Sequence, residues 1–213
     1  MIRLAMALVI ASSITCAAQE TIEQQPTPAI QFGVKAGSQI ASYSYEITST
    51  GSIAIEPRST FLFGGVVTVP VIGILDVDSG LELTWKGAKR ETPIATITAS
   101  PAYLQIPVKL VANVGSFRLG LGGYAAYGIG GSITISNSLI GTRSESIDFD
   151  DDDADGMSPL DLGIAADVAF KLEQFRLGLY TYNGLSNTIP KAGRSDDDFI
   201  GNWVFGFSLT YMF

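Results

Sequence analysis

The chain carries eight segments of about ten residues in which apolar and polar side chains alternate, and the last segment is the clearest. In 202–213, large apolar side chains occupy every second position: Trp203, Phe205, Phe207, Leu209, Tyr211 and Phe213. Smaller or more polar residues occupy most of the positions between them. Because a strand points successive side chains to opposite faces, this alternation predicts a β-strand with one broad aromatic face.

Seven earlier segments show the same period of two, and each predicts a further strand. They cover about 30–41, 60–69, 79–86, 102–112, 117–128, 160–171 and 175–185. The segment 60–69 has apolar residues on both faces, so the alternation does not decide which face is buried. Pro107 interrupts the fourth segment, and because proline cannot donate to a ladder we expect a bulge there or an earlier end of the strand.

The links between the eight segments alternate in length. Three are short, at 70–78, 113–116 and 172–174, and four are long, at 42–59, 87–100, 129–159 and 186–201. Short periplasmic turns that alternate with long outer loops are typical of outer-membrane barrels. We therefore predict an all-β fold, an eight-stranded antiparallel up-and-down transmembrane β-barrel with short periplasmic turns, long outer loops and both termini in the periplasm.

The first residues have the layout of a secretory signal peptide. A basic residue, Arg3, precedes a short apolar run at 4–14, and the small residues Ala17 and Ala18 follow. We expect a cleavable signal peptide at 1–18, a short periplasmic lead-in at 19–29 and a barrel domain at 30–213 in the bacterial outer membrane. A buried N-terminal helix and a lipid anchor on Cys16 are the alternatives. Cys16 is the single cysteine, so cleavage would leave no thiol.

Composition excludes several functional classes. The chain has 13 basic and 21 acidic residues, which argues against nucleic-acid binding. No apolar run of about 20 residues follows Ala18, which excludes an α-helical membrane protein. Because the chain has no histidine, and no spacing marks another acid–base pair, we expect no enzymatic activity, no catalytic residues and no cofactor.

Charged side chains concentrate on the polar face of the predicted strands. This lumen charge network comprises Lys35, Glu82, Lys86, Lys109, Arg118, Asp167, Lys171 and Arg176. An eight-stranded barrel is just wide enough to be filled by side chains, and unpaired buried charges are strongly destabilising. Glycines beside these residues would give the long side chains room to cross. We therefore expect ion pairs that fill the lumen, with a conducting pore or a catalytic cluster as the alternatives.

An acidic segment at 148–156 lies in the longest predicted loop. Part of it matches the opening of a calcium-binding loop, with candidate ligands Asp151, Asp153 and Asp155. Such a loop needs a glutamate at position 162, where the chain has Leu162. We interpret the segment as a solvated acidic loop that could attract divalent cations, with a specific calcium site as the alternative. A second acidic patch, at 196–198, lies in the last outer loop.

Several strand sequences resemble one family. The segment 103–110, YLQIPVKL, is similar to a strand of the PorT-like outer-membrane β-barrel family, and the segments 32–37, 81–89 and 178–187 also fit it. The resemblance covers nearly the whole mature chain and implies an outer-membrane barrel, often with no assigned molecular activity. One branch takes part in secretion and gliding. The aromatic segment 202–213 resembles the final strand that the barrel-insertion machinery recognises.

The predicted function is a structural or interaction role for a small barrel with a filled lumen and acidic surface loops. Its predicted partners are outer-membrane lipid and the insertion machinery, with divalent cations at the acidic loops; the sequence indicates no protein partner. A transport or channel role is the first alternative. A soluble lipocalin-like binder of apolar ligands is the second, and it requires the apolar face to point inward.

Overall fold

The computed structural model describes residues 29–46, 55–137, 141–153, 156–193 and 199–213. The predicted signal peptide, the acidic patch at 196–198 and Asp155 lie outside these described residues. Within them the chain forms β-strands and one short 3₁₀ helix, Lys191–Gly193. No helix in this part of the chain is long and apolar enough to cross a membrane.

Eight strands form a closed antiparallel ring. In order around the ring they are β1 (Gln31–Glu46), β2 (Arg58–Ile72), β3 (Leu75–Trp85), β5 (Ala95–Val114), β6 (Phe117–Asn137), β8 (Leu160–Leu172), β9 (Phe175–Gly184) and β10 (Phe199–Met212). The strand β10 pairs with β1 and closes the ring. The predicted all-β, eight-stranded up-and-down barrel is confirmed, and all eight predicted segments are strands of the ring.

Two further strands extend the wall beyond the ring on the side of the long loops. The strand β4 (Lys89–Glu91) pairs with the start of β5, and β7 (Gly141–Ser146) pairs with the end of β6. The predicted loops at 87–100 and 129–159 are therefore partly strand, and that part of the prediction is wrong. The physical reason is local, because isoleucine and threonine, which favour strands, alternate at 96–98 and 133–135.

The three short links are two-residue turns. Each contains a residue with positive φ, at Gly73, Gly115 and Glu173 respectively. The link predicted at 70–78 is shorter than expected, because β2 continues to Ile72 and β3 begins at Leu75. The polar residues at the start of β3 therefore belong to the barrel wall and not to a turn.

Pro107 lies inside a continuous strand, so the predicted bulge or early strand end is wrong. It pairs with Tyr124 on β6, and the register of β5 on β3 is the same on both sides of it, from Ser79↔Val108 to Glu82↔Gln105. Between these two pairs, residues 80–81 of β3 and 106–107 of β5 are not paired with each other. The Ser79 hydroxyl donates to the Pro107 carbonyl at 2.9 Å. The register shift of β5 lies instead at Ala102/Tyr103.

The aromatic row of β10 points outward and the charged face points inward, as the alternation predicts. Phe205 and Phe207 are 43% and 49% exposed, whereas Lys35 and Arg118 are only 8% and 3% exposed. In β2 the ambiguous phase resolves with Phe63 outward and a buried residue, Leu62, inward. A soluble binder with an apolar interior is excluded, because its apolar side chains would have to face the lumen.

Candidate functional site: the barrel lumen

The periplasmic end of the lumen holds a shared network of charges. Both terminal nitrogens of Arg118 donate at 2.8 Å, Nη1 to Asp76 and Nη2 to Asp78. Asp78 also accepts from the Thr68 hydroxyl at 2.7 Å. Arg176 Nη1 donates to that hydroxyl at 3.0 Å and lies 3.7 Å from Asp78 Oδ2. Each charge here has more than one polar neighbour, so the network distributes its charge over several contacts.

A second group crosses the middle of the lumen around Glu82. Its carboxylate accepts from Lys35 Nζ and from the Tyr182 hydroxyl, each at 2.8 Å, and from Gln105 Nε2 at 3.1 Å. Glu82 is 1% exposed, so these three donors replace the water that the carboxylate would otherwise bind. The group joins strands β1, β3, β5 and β9 across the barrel.

A separate ion pair, Lys109–Asp167, lines the same cavity as members of both groups. Gly120 sits opposite Asp167 in the register of β6 and β8. A Cβ at Gly120 would lie 2.6 Å from Asp167 Oδ1, so the glycine leaves the room that this carboxylate occupies. The arrangement agrees with the expectation that glycines let charged side chains fold across the lumen.

The outer end of the lumen holds one fully buried ion pair. Lys86 Nζ lies 2.8 Å from Asp161 Oδ2, and the two side chains are 0% and 1% exposed. Asp161 also accepts from Asn202 Nδ2 at 2.8 Å and from the Tyr124 hydroxyl at 3.1 Å. Lys86 Nζ lies 4.4 Å from the centroid of the Tyr124 ring and 5.1 Å from that of Tyr103. The ammonium therefore meets one carboxylate and two aromatic faces.

Phe149 caps this outer cluster. Its ring packs edge-on against Tyr103, with 5.5 Å between the centroids. It also lies over Gly128, where a Cβ would overlap the ring. A hydrogen bond of 2.8 Å from Met157 N to Asp148 O holds the two sides of the capping loop together. The loop that follows β7 therefore closes the outer mouth with an apolar side chain.

Little free space remains inside the barrel. A cavity of about 40 Å³ lies beside Lys35, Glu82 and Lys109, and the periplasmic mouth opens into a vestibule of about 490 Å³. A cavity needs roughly 10–15 Å³ to hold one water molecule, so the inner cavity has room for only a few waters. The lumen is filled by side chains over its middle and outer parts.

The structure places seven of the eight predicted lumen charges in ion pairs. These seven are Lys35, Glu82, Lys86, Lys109, Arg118, Asp167 and Arg176. The eighth, Lys171, lines the periplasmic vestibule and forms no ion pair among the described residues. All eight therefore face the lumen or its mouth, and four different groups hold the seven that are paired.

The predicted charge network omits the carboxylates that complete two of these groups: Asp76 and Asp78 at the periplasmic end, and Asp161 at the outer end. Asp76 and Asp78 fell in a predicted turn, although their spacing continues the period of two from Glu82 through Gly80. That continuation was the available signal. Phe149 had no comparable signal, because it lies outside any alternating segment.

The acidic loop shows a different arrangement from the charged lumen. Asp151 pairs with Lys191 at 3.3 Å. No group of three or more acidic, histidine or cysteine side chains within the described part of the chain could hold a metal ion. Asp155 lies outside that part, and the calcium site at Asp151, Asp153 and Asp155 stays a prediction.

Comparison with known proteins identifies the family. The sequence matches the model of the outer membrane protein beta-barrel domain over residues 17–190. No curated protein matches the chain. Three similar solved structures are outer-membrane proteins or surface proteins, and each matches this chain at low identity.

The first is Ail, the attachment invasion locus protein of Yersinia pestis, with 14% identity, a TM-score of 0.43 and coverage of 85% of this chain and 98% of that one. The second is Neisserial surface protein A, with 12% identity, a TM-score of 0.49 and coverage of 87% and 99%. The third is E. coli outer membrane protein W, with 18% identity, a TM-score of 0.44 and coverage of 87% and 98%. Because the family model covers most of the sequence, the chain belongs to the outer membrane protein beta-barrel domain family, which lies in the bacterial outer membrane.

Proposed function

We propose that this protein is a non-conducting outer-membrane barrel with a structural or interaction role. One observation carries the proposal: ion pairs cross the lumen, and the cavity left between them is only about 40 Å³. Phe149 closes the outer mouth above the buried pair of Lys86 and Asp161. A continuous path for ions or solutes would require these groups to separate, at a large cost in buried unpaired charge.

The part of the molecule beyond the ring supports an interaction role. There, β4, β5, β6 and β7 pair side by side and extend the wall on the side of the long loops. The acidic loop next to this extension exposes Asp148, Asp150, Asp152 and Asp153. A rigid wall with a negatively charged loop offers an outer partner a fixed surface, and it gives divalent cations a place to gather.

Conductance in planar lipid bilayers tests the proposal. The folded wild-type protein is expected to give no stable current steps. As a matched positive control, a variant with Lys35→Ala, Glu82→Ala and Phe149→Ala removes a central ion pair and the cap, and it is expected to conduct. Slower or faster migration of unboiled protein in gels verifies that both barrels are folded. Reproducible wild-type steps would replace the proposal with the transport alternative.

Four more specific statements belong to the same proposal. We propose that the protein is not an enzyme, which the absence of histidine supports. We propose that it belongs to the PorT-like outer-membrane β-barrel family, and the strand sequences at 103–110 and 178–187 support this proposal. Outer-membrane lipid and the barrel-insertion machinery stay its predicted partners, and cleavage of a signal peptide after Ala18 stays a prediction.

A further inference from the structure

A notch lies in the outer part of the barrel wall, where β3 ends and β4 begins. Its volume is about 320 Å³, at the lower end of the range for small-ligand pockets, roughly 300–1,000 Å³. Residues of four strands line it, among them Arg58, Thr60, Phe61, Trp85, Ser100 and Ser132. The notch is separate from the charged groups of the lumen and plays no part in the non-conducting role proposed above.

One side of the notch is aromatic. The rings of Phe61 and Trp85 lie 4.6 Å apart between centroids, at an angle of 48°. Phe61 is 47% exposed and lies on the outward face of β2. Aromatic girdles are expected where a barrel wall meets the membrane interface, so the pair alone does not indicate a ligand. A ligand site is indicated because the aromatic pair and several polar residues line the same notch.

The polar side of the notch has unused hydrogen-bonding capacity. Arg58 Nη1 donates to the Ala99 carbonyl at 3.1 Å and to the Ser100 hydroxyl. A guanidinium carries five N–H donors on three nitrogens, and within the described part of the chain Arg58 donates from Nη1 alone. Ser132 adds a hydroxyl opposite Ser100 in the register of β5 and β6.

Thr60 supplies an independent observation at the same place. It is 5% exposed, and its hydroxyl has no hydrogen-bond partner within the described part of the chain. Buried polar atoms nearly always have a partner, so an orphaned hydroxyl beside a cavity indicates a position that a further group completes. Thr60 and Arg58 lie on the inner face of β2 and Phe61 lies on its outer face, so residues from both faces of the wall line the notch.

We propose that the notch binds a saccharide. One face of a sugar ring is apolar C–H surface and stacks on Trp85, while the hydroxyls at the ring edge exchange hydrogen bonds with Arg58 and the serine and threonine hydroxyls. A phosphate site would gather several cationic or N–H donors, and an acyl-chain groove would lack this row of hydroxyls. The sugar can belong to a glycolipid of the outer leaflet or to a free oligosaccharide.

Tryptophan fluorescence tests the proposal, because the chain has two tryptophans. In a Trp203→Phe background, Trp85 is the remaining reporter. The protein is placed in phospholipid nanodiscs and titrated with core oligosaccharide released from lipopolysaccharide; in the other arm, the nanodiscs contain increasing amounts of intact lipopolysaccharide. We expect a saturable change in Trp85 emission in at least one arm. A response in the second arm alone assigns the site to the membrane-anchored sugar, and a response in both assigns it to free saccharide as well.

Two variants and one control decide whether the notch is responsible. Arg58→Gln is expected to weaken binding at least tenfold, and Ser132→Leu, which fills the notch without removing the guanidinium, is expected to abolish it. The control Phe175→Leu changes an exposed aromatic residue that pairs with Tyr211 at the opposite end of the barrel and is expected to bind normally. The proposal is overturned if neither arm saturates, or if folded Ser132→Leu protein binds as tightly as the wild type.

Discussion

The two ends of the lumen neutralise their charges in different ways. At the periplasmic end, Arg118 and Arg176 share Asp76 and Asp78, beside a vestibule of about 490 Å³. At the outer end, one ammonium and one carboxylate meet beneath the capping ring of Phe149, and both are almost completely buried. Water therefore has access to the first group and is excluded from the second.

This difference indicates which charges the fold can lose. A group with several partners and nearby water can rearrange when one member is removed, because the remaining charges still find donors, acceptors or solvent. A buried pair with a single charged partner has no such alternative, and its loss leaves an uncompensated charge. Removing one charge from the outer cluster should therefore lower the free energy of unfolding more than removing one from the periplasmic network, although the outer cluster has fewer charges.

The largest effect is expected for Asp161→Asn. The substitution removes the only carboxylate that contacts Lys86 among the described residues and leaves a fully buried ammonium between two aromatic rings. We expect the free energy of unfolding to fall by about 3–5 kcal/mol, measured by urea titration in detergent with unboiled gel migration as the readout. Asp152→Asn, on the exposed loop, is the matched control and should change nothing.

A second substitution separates a charge effect from a shape effect in this cluster. In the double variant Lys86→Met/Asp161→Asn, no charge remains in the outer cluster. The asparagine oxygen still accepts from Asn202 Nδ2, and its amide nitrogen faces the Tyr124 hydroxyl, which can accept. Most of the lost stability should return. If the double variant is as unstable as Asp161→Asn alone, the cluster depends on the packing of Lys86 and not on its charge.

Arg118→Met should have a smaller effect, although it removes two ion pairs. Asp78 keeps Thr68 and Arg176 as neighbours, and Asp76 lines the vestibule of about 490 Å³, which is large enough to admit water. We expect a loss of about 2 kcal/mol in the same urea titration. A loss as large as that of Asp161→Asn would show that water does not reach this end, and the contrast between the two ends would fail.

The same contrast explains how much the sequence predicts. The period of two assigns Lys35, Lys86 and Arg118 to the lumen, because the face of a strand residue follows from parity alone. It does not say which carboxylate each cation meets. Lys86 pairs with Asp161, 75 positions away, and that choice depends on how the strands are staggered around the closed ring.

Boundaries of the elements were predictable only where the alternation was strong. The predicted turn at 70–78 includes Asp76 and Asp78, which continue a polar face, so the start of β3 is not predicted. The extensions of β5 and β6 were missed because 87–100 and 129–159 were interpreted as loops. The cap was not predictable, since the position of Phe149 depends on the fold of a long loop over the barrel mouth.

Gly128→Ala tests whether the cap keeps the outer cluster dry. The added Cβ would overlap the Phe149 ring and displace it. We expect a loss of about 1–2 kcal/mol, from the apolar area that the ring buries, and faster hydrogen exchange in peptides covering 156–165. Gly123→Ala on the same strand is the matched control, because the nearest atom to its Cβ, Gly163 O, would lie 3.4 Å away, which is an ordinary van der Waals contact.

The stability losses of Gly128→Ala and Phe149→Ala should not be additive. If Gly128→Ala acts by expelling the ring, adding Phe149→Ala to it should cause almost no further loss of stability. Additive losses would instead show that Gly128 has a backbone role of its own, and the capping loop would then have no special link to the outer cluster.

The smallest effect is expected for Thr60→Val, and its sign is informative. The hydroxyl of Thr60 has no partner within the described residues, so an isosteric methyl group removes an unsatisfied buried polar atom. We expect stability to stay unchanged or to rise by up to about 1 kcal/mol. Thr68→Val is the matched control on the same strand and the same face, and it removes a hydroxyl that donates to Asp78 and accepts from Arg176. That variant should lose about 2 kcal/mol, because two charged groups lose a partner. Equal losses at the two positions would mean that the Thr60 hydroxyl is satisfied in the folded protein, and the notch beside it would lose one of the observations that mark it as a binding site.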